Sequence, residues 1–325
     1  MEKIHTETLE KQYQDYKSWL KQRHLDDGTW VLNWDIKEER FADFGIGDAL
    51  FYTGIYLTAL ALEGNETEFS QIIEKLNQYK YLPGMYPRYP ETYDTSKDPY
   101  HQVILSLVIA EQKFPANQLV KETLREIFES LAENGYRVRE NPSICEGTGR
   151  NPDCNTSNGN LFELRPMKSA MEGKTPALFY LAMLGLPGYT LFRKLFISGK
   201  YFNLFMVAAQ YLVYNRYIQS GVGRWFLRTS VKWFASIEKR NPYYLMIRDI
   251  LTNEKKHQAA VEAIMARFPV DNLPNDEEPL AHLDVLWQRN PDLWENTDPR
   301  IGYEYPGIDF MVMYRLYEQH YLSND

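Results

Sequence analysis

The fold is decided by the stretch Gly47-Asp48-Ala49-Leu50-Phe51-Tyr52-Thr53-Gly54-Ile55-Tyr56-Leu57-Thr58-Ala59-Leu60-Ala61-Leu62. In this stretch a short polar start leads into an almost wholly apolar segment. An aspartate in front of a helix accepts hydrogen bonds from backbone N–H groups of the first turn. A helix that is apolar on nearly every side must be surrounded by other helices. The stretch therefore predicts a capped helix over 47–62 in the inner layer of an all-α protein.

The same pattern recurs along the chain. Apolar helices with polar starts begin near 47, 98, 175, 202, 241 and 307. Between most of them, apolar residues at spacings of three and four predict amphipathic outer helices, over 5–24, 65–79, 115–133, 224–238 and 254–268. Such alternation at a period of about 50 residues is typical of helical arrays. We predict an (α/α)6 barrel, a toroid of inner and outer helices with long loops on one face; an open solenoid is the alternative.

The prediction is a single toroid domain over 1–325, since one closed architecture can hold a chain of this length. The pattern lapses at about 134–174, which we interpret as a loop-rich insertion over one face. It contains both cysteines, Cys145 and Cys154, either as two thiols or as a local disulfide. No Cys and His set has zinc-ligand spacing, so neither a metal nor a cofactor is expected. A helix restarts at Thr175 and is expected to stop before Pro187.

Composition limits the partners. The net charge of -8 argues against a nucleic-acid partner, because nucleic-acid-binding proteins present a basic surface. No apolar run reaches the roughly 18 residues that a membrane span needs, so no membrane partner is expected. The N-terminus lacks a basic start followed by an apolar run, which predicts a cytoplasmic protein; export after removal of a signal is the alternative. The oligomeric state is unknown from the sequence.

Aromatic residues are the unusual part of the composition, with 24 Tyr, 16 Phe and 7 Trp. Tyr and Trp rings suit walls that face sugars, although they also fill large helical interiors. Many lie in loops before inner helices or at helix starts, where they would surround a common mouth. The predicted substrate-binding aromatics are Trp34, Tyr52, Tyr89, Tyr100, Trp287, Tyr303 and Tyr305.

Carboxylates at the starts of inner helices are the predicted catalytic groups. Cleavage of a glycosidic bond needs a proton donor and a second carboxylate, roughly 5 to 9.5 Å apart. Asp48 and Asp98 could meet this requirement, with His101 as a proton shuttle; as an alternative, both aspartates simply cap their helices. Charged residues of the same loops and helix starts are predicted to bind the substrate, the cations by gripping an anionic group: Arg88, Asp94, Lys97 and Asp309.

Alternating outer and inner helices with polar inner starts resemble the (α/α)6 toroid of the six-hairpin glycosidases. The residues that carry this resemblance are Gly47-Asp48, Arg88-Tyr89-Pro90 and Asp98-Pro99-Tyr100-His101. The resemblance implies a carbohydrate-active enzyme, a glycoside hydrolase or lyase, that binds an oligosaccharide or polysaccharide in an aromatic, acidic funnel. It also implies that Asp48 and Asp98 act on the glycan there.

Two other functions stay open. A non-catalytic toroid with a glycan-binding or structural assembly role would keep an aromatic mouth without a carboxylate pair in reach of one ligand. A terpenoid cyclase-like toroid is the third, because Trp19-Leu20-Lys21-Gln22-Arg23-His24-Leu25-Asp26-Asp27-Gly28-Thr29-Trp30 is similar to the Gln/Trp repeat of that family. A dry, apolar central cavity would favour the cyclase, whereas a wet, acidic funnel would count against it.

Overall fold

The structure is a computed structural model that describes residues 2–42, 48–90, 95–139, 155–156, 164–174, 177–196, 204–239, 241–266, 303–304 and 306–323. Most of these residues are helical, which confirms the all-α prediction. The helices are α1 (Glu2–Arg23), α2 (Ala49–Glu63), α3 (Glu66–Gln78), α4 (Lys97–Lys113), α5 (Gln118–Glu133), α6 (Leu164–Met171), α7 (Ala177–Phe196), α8 (Leu204–Tyr217), α9 (Gly221–Ile237), α10 (Pro242–Thr252), α11 (Gln258–Met265) and α12 (Asp309–Tyr317). The last helix continues into a π-helical turn, Glu318–Leu322.

The strands are two residues long and lie in the connections. They are β1 (Leu25–Asp26), β2 (Trp30–Val31), β3 (Trp34–Asp35), β4 (Arg40–Phe41), β5 (Val138–Arg139), β6 (Asn155–Thr156) and β7 (Tyr303–Glu304). β1 pairs with β2, and β5 pairs with β6. β3 lies between β4 and β7, antiparallel to both, so it joins the two ends of the chain.

Short polar side chains set the helix boundaries. Asp48 accepts a hydrogen bond from the Phe51 backbone N–H at the start of α2, and Asn65 accepts one from Glu68 at the start of α3. Between them, Gly64 ends α2 in the left-handed conformation with φ 77°, which glycine adopts without a Cβ clash. Every residue from Ala49 to Leu62 is buried. The apolar stretch therefore forms the inner helix that its sequence predicts.

α2 and α4 cross with their backbones in near contact at Gly54. A Cβ atom on Gly54 would lie 2.8 Å from Gln102 Cβ and 2.9 Å from the Val103 backbone nitrogen. Gly54 and Gln102 both lie near the start of their helix. At the other end, Leu62 of α2 and Ile109 of α4 line a common cavity. The two helices therefore run parallel.

That cavity has a volume of about 340 Å³ and lies near the ends of two further helices, because Leu212 of α8 and Leu316 of α12 also line it. α10 runs in the same direction as α2 and α4. Near its end, Asp249 accepts a hydrogen bond of 3.0 Å from the Tyr321 hydroxyl, just beyond α12. Near its start, Tyr243 lies within the electrostatic influence of Asp309, the first residue of α12. Five helices, α2, α4, α8, α10 and α12, thus point their starts toward one end.

Packing contacts connect these five helices in turn. α2 contacts α4, α4 contacts α8, α8 contacts α10, α10 contacts α12, and α12 contacts α2. Other helices cover them: α3 lies on α2, α5 on α4, α6 on α8, and α11 on α10. α1 runs antiparallel over α12, with the Tyr16 ring 5.5 Å from Phe310 and the Tyr13 ring 4.6 Å from Tyr314. In the described part of the chain, covered and covering helices alternate for these five, whereas the sequence predicted six inner helices.

A charged cluster ties α1, α2 and α12 together near the end of α2. The Glu63 carboxylate lies 2.6 Å from Lys17 Nζ and 3.1 Å from Arg315 Nη2, and it accepts a hydrogen bond from the Tyr13 hydroxyl. The Arg315 guanidinium also lies 4.3 Å from the centroid of the Tyr13 ring. Only 8% of the Glu63 side chain is exposed, so these partners take the place of water around the carboxylate.

α7 departs from the prediction. The expected stop before Pro187 is wrong, because the helix runs on to Phe196. Proline removes one backbone hydrogen bond from a helix, but Phe179, Met183 and Pro187 are buried at four-residue intervals, so one buried face continues through the proline. The helix packs against α9, while Leu181 and Leu184 are more than half exposed. A helix of the inner layer would be covered on all sides, and α7 is not.

The insertion expected at about 134–174 contains β5, β6 and the helix α6 in its described part. Its two cysteines, Cys145 and Cys154, lie outside the described residues. Across the described residues, no helix has both the length and the apolar character required to cross a bilayer.

Replacing Gly54 with alanine tests the contact between α2 and α4. The added methyl group would overlap Gln102 and the Val103 backbone, so we expect the free energy of unfolding in urea to fall by about 1 to 3 kcal/mol. Gly185→Ala is the matched control. Gly185 is also inside a helix, but nothing lies within 4 Å of a Cβ there. The control should be neutral or gain up to about 1 kcal/mol; equal losses in both variants would contradict the close contact.

Removing the Arg315 charge tests the cluster around Glu63. Arg315→Met should lower the free energy of unfolding by about 2 kcal/mol, since Lys17 would still pair with the buried carboxylate. Adding Glu63→Gln should cost less in the Arg315→Met background than in the wild type, by about 1 kcal/mol. Urea denaturation of the two single variants and the double variant measures this coupling, and strictly additive losses would show that the two side chains act independently.

Candidate functional site

The starts of α2, α4 and α12 lie at the end opposite the cavity, so the structure brings Asp48, Asp98 and Asp309 to one end of the inner helices. α2 and α4 are direct neighbours, which places the predicted pair Asp48 and Asp98 at adjacent helix starts. Both aspartates are half-buried, whereas Asp309 is fully buried. Solvent therefore reaches part of each of these two residues.

Asp48 has two partners that favour its charged form. Its Oδ1 accepts a hydrogen bond of 3.3 Å from the Phe51 backbone N–H. Its Oδ2 lies 3.7 Å from Arg88 Nε, and the two side chains are 21% and 28% exposed. Donors and positive charge around a carboxylate stabilise the ion. Asp48 is therefore suited to act as a base or nucleophile, and it caps α2 at the same time.

The loop before α4 holds Arg88 in place. The Arg88 carbonyl accepts a hydrogen bond of 2.9 Å from the Leu50 backbone N–H in the first turn of α2. Two residues earlier, the Tyr86 backbone N–H donates to the Tyr100 hydroxyl at 2.8 Å, and the Thr95 hydroxyl donates to the Tyr86 carbonyl at 3.0 Å. The loop is thus bonded to the starts of both helices and fixes the backbone on which Arg88 stands.

The first turns of α4 carry Lys97, Asp98 and His101. Asp98 and His101 are three residues apart, which places them on one face of the helix. His101 Nδ1 lies 3.1 Å from the Lys97 carbonyl oxygen. A carbonyl only accepts, so Nδ1 carries the hydrogen and Nε2 is the basic nitrogen of the neutral ring. The ring is fully buried, whereas Lys97 and Asp98 are half-buried.

Asp309 belongs to the interior beneath this end. Burial raises the pKa of Tyr16 and of Tyr243, and the nearby Asp309 carboxylate raises it further. Both phenols therefore keep their protons, and the Tyr16 hydroxyl donates a hydrogen bond to the Pro306 carbonyl. Asp309 was predicted to bind substrate, but in this conformation it has no exposed surface for a ligand to contact.

Two predicted aromatics come from opposite ends of the chain and meet in one sheet. Trp34 pairs with Glu304 and Asp35 pairs with Tyr303. Because β7 directly precedes α12, this sheet lies at the helix starts. Trp34 is half-buried; its ring centroid lies 5.5 Å from Phe41 and 5.1 Å from the Arg23 guanidinium. It is the predicted ring most open to solvent among those whose side chains are described.

The other described aromatics of the prediction are interior residues. Tyr52 and Tyr100 are fully buried, and Tyr89 is 5% exposed. Burial raises the pKa of Tyr100 to about 12, and its hydroxyl is used in the bond to Tyr86. These rings support the helix starts by packing, which is the interior-filling role that aromatic side chains also have. Asp94, Trp287 and Tyr305 lie outside the described residues.

Sequence reasoning missed Tyr16 and Tyr243 as neighbours of Asp309. The inward spacing of Tyr16 in α1 indicated burial, and Asn241-Pro242 predicted a helix start just before Tyr243. Neither signal could show that two residues so far apart along the chain approach the same carboxylate. That proximity depends on how the helices pack, which no local pattern specifies.

The cavity at the opposite end has a different character. The cations Lys113, Arg216 and Arg224 line it together with aliphatic side chains such as Leu212. Arg224 donates a hydrogen bond of 2.6 Å to Asn215 Oδ1, and burial together with the charge of Arg228 lowers its pKa. No predicted site residue lines this cavity. In the part of the chain that the structure describes, no three potential metal-ligating side chains gather at one point.

Substitution of Asp48 separates its capping role from its charge. Asparagine caps helices as well as aspartate does, so Asp48→Asn should keep the free energy of unfolding within about 0.5 kcal/mol of wild type. Asp48→Ala should lose about 1 kcal/mol, as should Asn65→Ala at the start of α3, which serves as the reference cap. Urea denaturation measures all three. A large loss in Asp48→Asn would mean that the contact with Arg88, rather than the cap, stabilises the fold.

Comparison of the chain with protein-family models, with curated proteins and with solved structures gave no match.

Proposed function

We propose that the chain is a carbohydrate-active enzyme, a glycoside hydrolase or lyase, built as an α/α toroid with its glycan site over the starts of the inner helices. The toroid is supported by the five parallel helices, which contact one another in turn and return to α2. It is also supported by the covering helices α1, α3, α5, α6 and α11, each of which packs on one of the five.

One observation carries the proposed activity: two half-buried carboxylates, Asp48 and Asp98, stand at adjacent starts of parallel helices. The cation Arg88 lies 3.7 Å from Asp48, and Lys97 directly precedes Asp98 in the sequence. Glycoside cleavage needs two carboxyl groups with different proton affinities. Arg88 and the Phe51 backbone N–H beside Asp48 favour a carboxylate there, so we assign Asp48 the role of base or nucleophile. Asp98 is then the proton donor, with His101 on the same face of α4 as its neighbour.

The substrate side of the proposal rests on Trp34 and on the cations. A partly exposed indole ring suits contact with a sugar ring, and an arginine fork suits a carboxylate such as that of a uronate. Trp34 and Arg88 both lie at the helix starts, where solvent reaches part of each side chain. A glycan with acidic sugars is the ligand class that these groups fit.

A non-catalytic glycan-binding toroid is the second candidate, and one observation favours it. Asp48 already accepts a backbone hydrogen bond as the α2 cap and faces Arg88, and His101 is fully buried. Helix capping and packing alone would explain these positions. The two candidates share a ligand class and a surface, and they differ in whether the ligand is cleaved.

Turnover of a polysaccharide panel distinguishes the two candidates. Released reducing ends report hydrolysis, and the ultraviolet absorbance of an unsaturated sugar reports a lyase. For an active glycan we expect Asp98→Asn and Asp48→Asn each to lower kcat by about 100-fold or more. Asp15→Asn, on the exposed side of α1, is the matched control and should keep kcat within about twofold of wild type.

Three results decide between the candidates. Loss of turnover in both site variants with retained fold supports the enzyme. Binding on a glycan array without turnover supports the non-catalytic toroid. Unchanged turnover in Asp98→Asn removes Asp98 as the proton donor and the proposed site with it.

A further inference from the structure

The outward sides of α7 and α9 hold most of the large apolar side chains that the described residues expose. Leu181 is 56% exposed, Leu184 53%, Val222 61%, Trp225 61% and Trp233 40%. The remaining large exposed hydrophobic side chain among the described residues, Tyr79, lies in the α3 region. We call these five side chains the α7–α9 face. Exposed apolar patches of this kind mark interaction surfaces.

The five side chains form one continuous surface, because α7 and α9 are parallel neighbours. Tyr180 packs on Phe226 with ring centroids 4.9 Å apart, and further along the Ser230 hydroxyl donates to the Met183 carbonyl. Beyond these, Trp233 lies 3.8 Å from the position of a Cβ on Gly188. The paired positions advance together along both helices, and Trp233, itself 40% exposed, reaches α7 beside Gly188, so the exposed sides of the two helices meet there.

Positive charge borders this face. Arg228 and Lys232 are exposed on α9, on the same side of the helix as Trp225. Between Glu172 and Glu238 the sequence contains eight Lys or Arg and no acidic residue. The whole chain has a net charge of -8, so the residues outside this stretch carry a net charge of -16. An acidic protein thus keeps an acid-free, cationic segment where its apolar surface is exposed.

We propose that the α7–α9 face binds the surface of a bilayer that contains anionic lipids. Trp side chains prefer the boundary between headgroups and acyl chains, and helices that lie on membranes combine apolar residues with flanking Lys and Arg. Trp225, Trp233 and the two leucines enter the headgroup region, and Arg228 and Lys232 pair with acidic headgroups. The expectation of no membrane partner rested on the lack of a spanning segment, and contact with a membrane surface requires none.

A second copy of the chain fits this face less well than a lipid surface does. In a symmetric dimer the same patch meets itself, which would bring Arg228 and Lys232 of both copies close together. The exposed residues of α7 and α9 in the structure include no carboxylate that could pair with those cations. An anionic membrane supplies the missing negative charge and accepts the apolar side chains at the same time.

Co-sedimentation of the full chain with lipid vesicles tests the proposal. Vesicles of phosphatidylcholine with phosphatidylglycerol should bind the chain more tightly than vesicles of phosphatidylcholine alone, and added salt should weaken the binding. Trp225→Ala combined with Trp233→Ala should lower the affinity about tenfold or more. Arg228→Gln combined with Lys232→Gln should lower it on the order of 30-fold, because each cation near the surface adds about 1 kcal/mol.

The controls use exposed residues away from the face. Lys11→Gln combined with Arg125→Gln removes the same charge from α1 and α5 and should leave binding unchanged. Lys232→Gln alone tests the charge without disturbing the hydrogen bond of 3.1 Å that Arg228 donates to the Leu251 carbonyl. Equal binding to neutral and anionic vesicles, no binding to either, or unchanged binding in the tryptophan variant would overturn the proposal. So would a dimer, seen by sedimentation velocity, that the tryptophan variant dissociates.

Discussion

Helix α2 is apolar on nearly all sides and must be buried completely, and this constraint organises the rest of the structure. Every residue from Ala49 to Leu62 is buried, so the helix needs neighbours around its whole circumference. Gly54 allows α4 to approach until the backbones nearly touch, and α12 and α3 complete the cover. Because α2 and α4 pack as parallel neighbours, their capped starts become neighbours too. The candidate site is a consequence of how one apolar helix is buried.

Different interactions hold the two ends of the inner helices. At the starts, a hydrogen-bonded loop joins α2 to α4 through Arg88, Tyr86 and Tyr100, and a three-stranded sheet joins the two ends of the chain. At the other end, the cluster around Glu63 ties α1, α2 and α12. The proposed glycan site therefore stands on hydrogen bonds between backbone groups and neutral hydroxyls, which do not depend on side-chain charge.

The sequence predicted the helices well because their signals are local. Asp48, Asn65 and Gly64 mark boundaries by hydrogen bonding and backbone conformation, both set within a few residues. Pro187 misled the prediction, since burial of one continuous face outweighed the loss of a single hydrogen bond. The site was predicted only in outline. Asp48 and Asp98 reach adjacent helix starts, but Tyr52, Tyr100 and Asp309 are buried instead of facing a ligand. Their places in apolar helices indicated burial, whereas which side chains at a helix start face solvent depends on packing between distant segments, which has no local signature.

The parallel course of the five inner helices has an electrical consequence. Each helix carries a macrodipole equivalent to roughly half a positive charge at its start and half a negative charge at its end, and parallel helices add these fields instead of cancelling them. Asp48, Asp98 and Asp309 stand at the positive pole, and Lys113, Arg216 and Arg315 stand in the last turns at the negative pole. Acidic side chains at one pole and basic side chains at the other thus oppose a polarity that the backbone itself creates. An amide in place of Asp48 or Asp98 would leave this end of the inner helices with an uncompensated attraction for small anions.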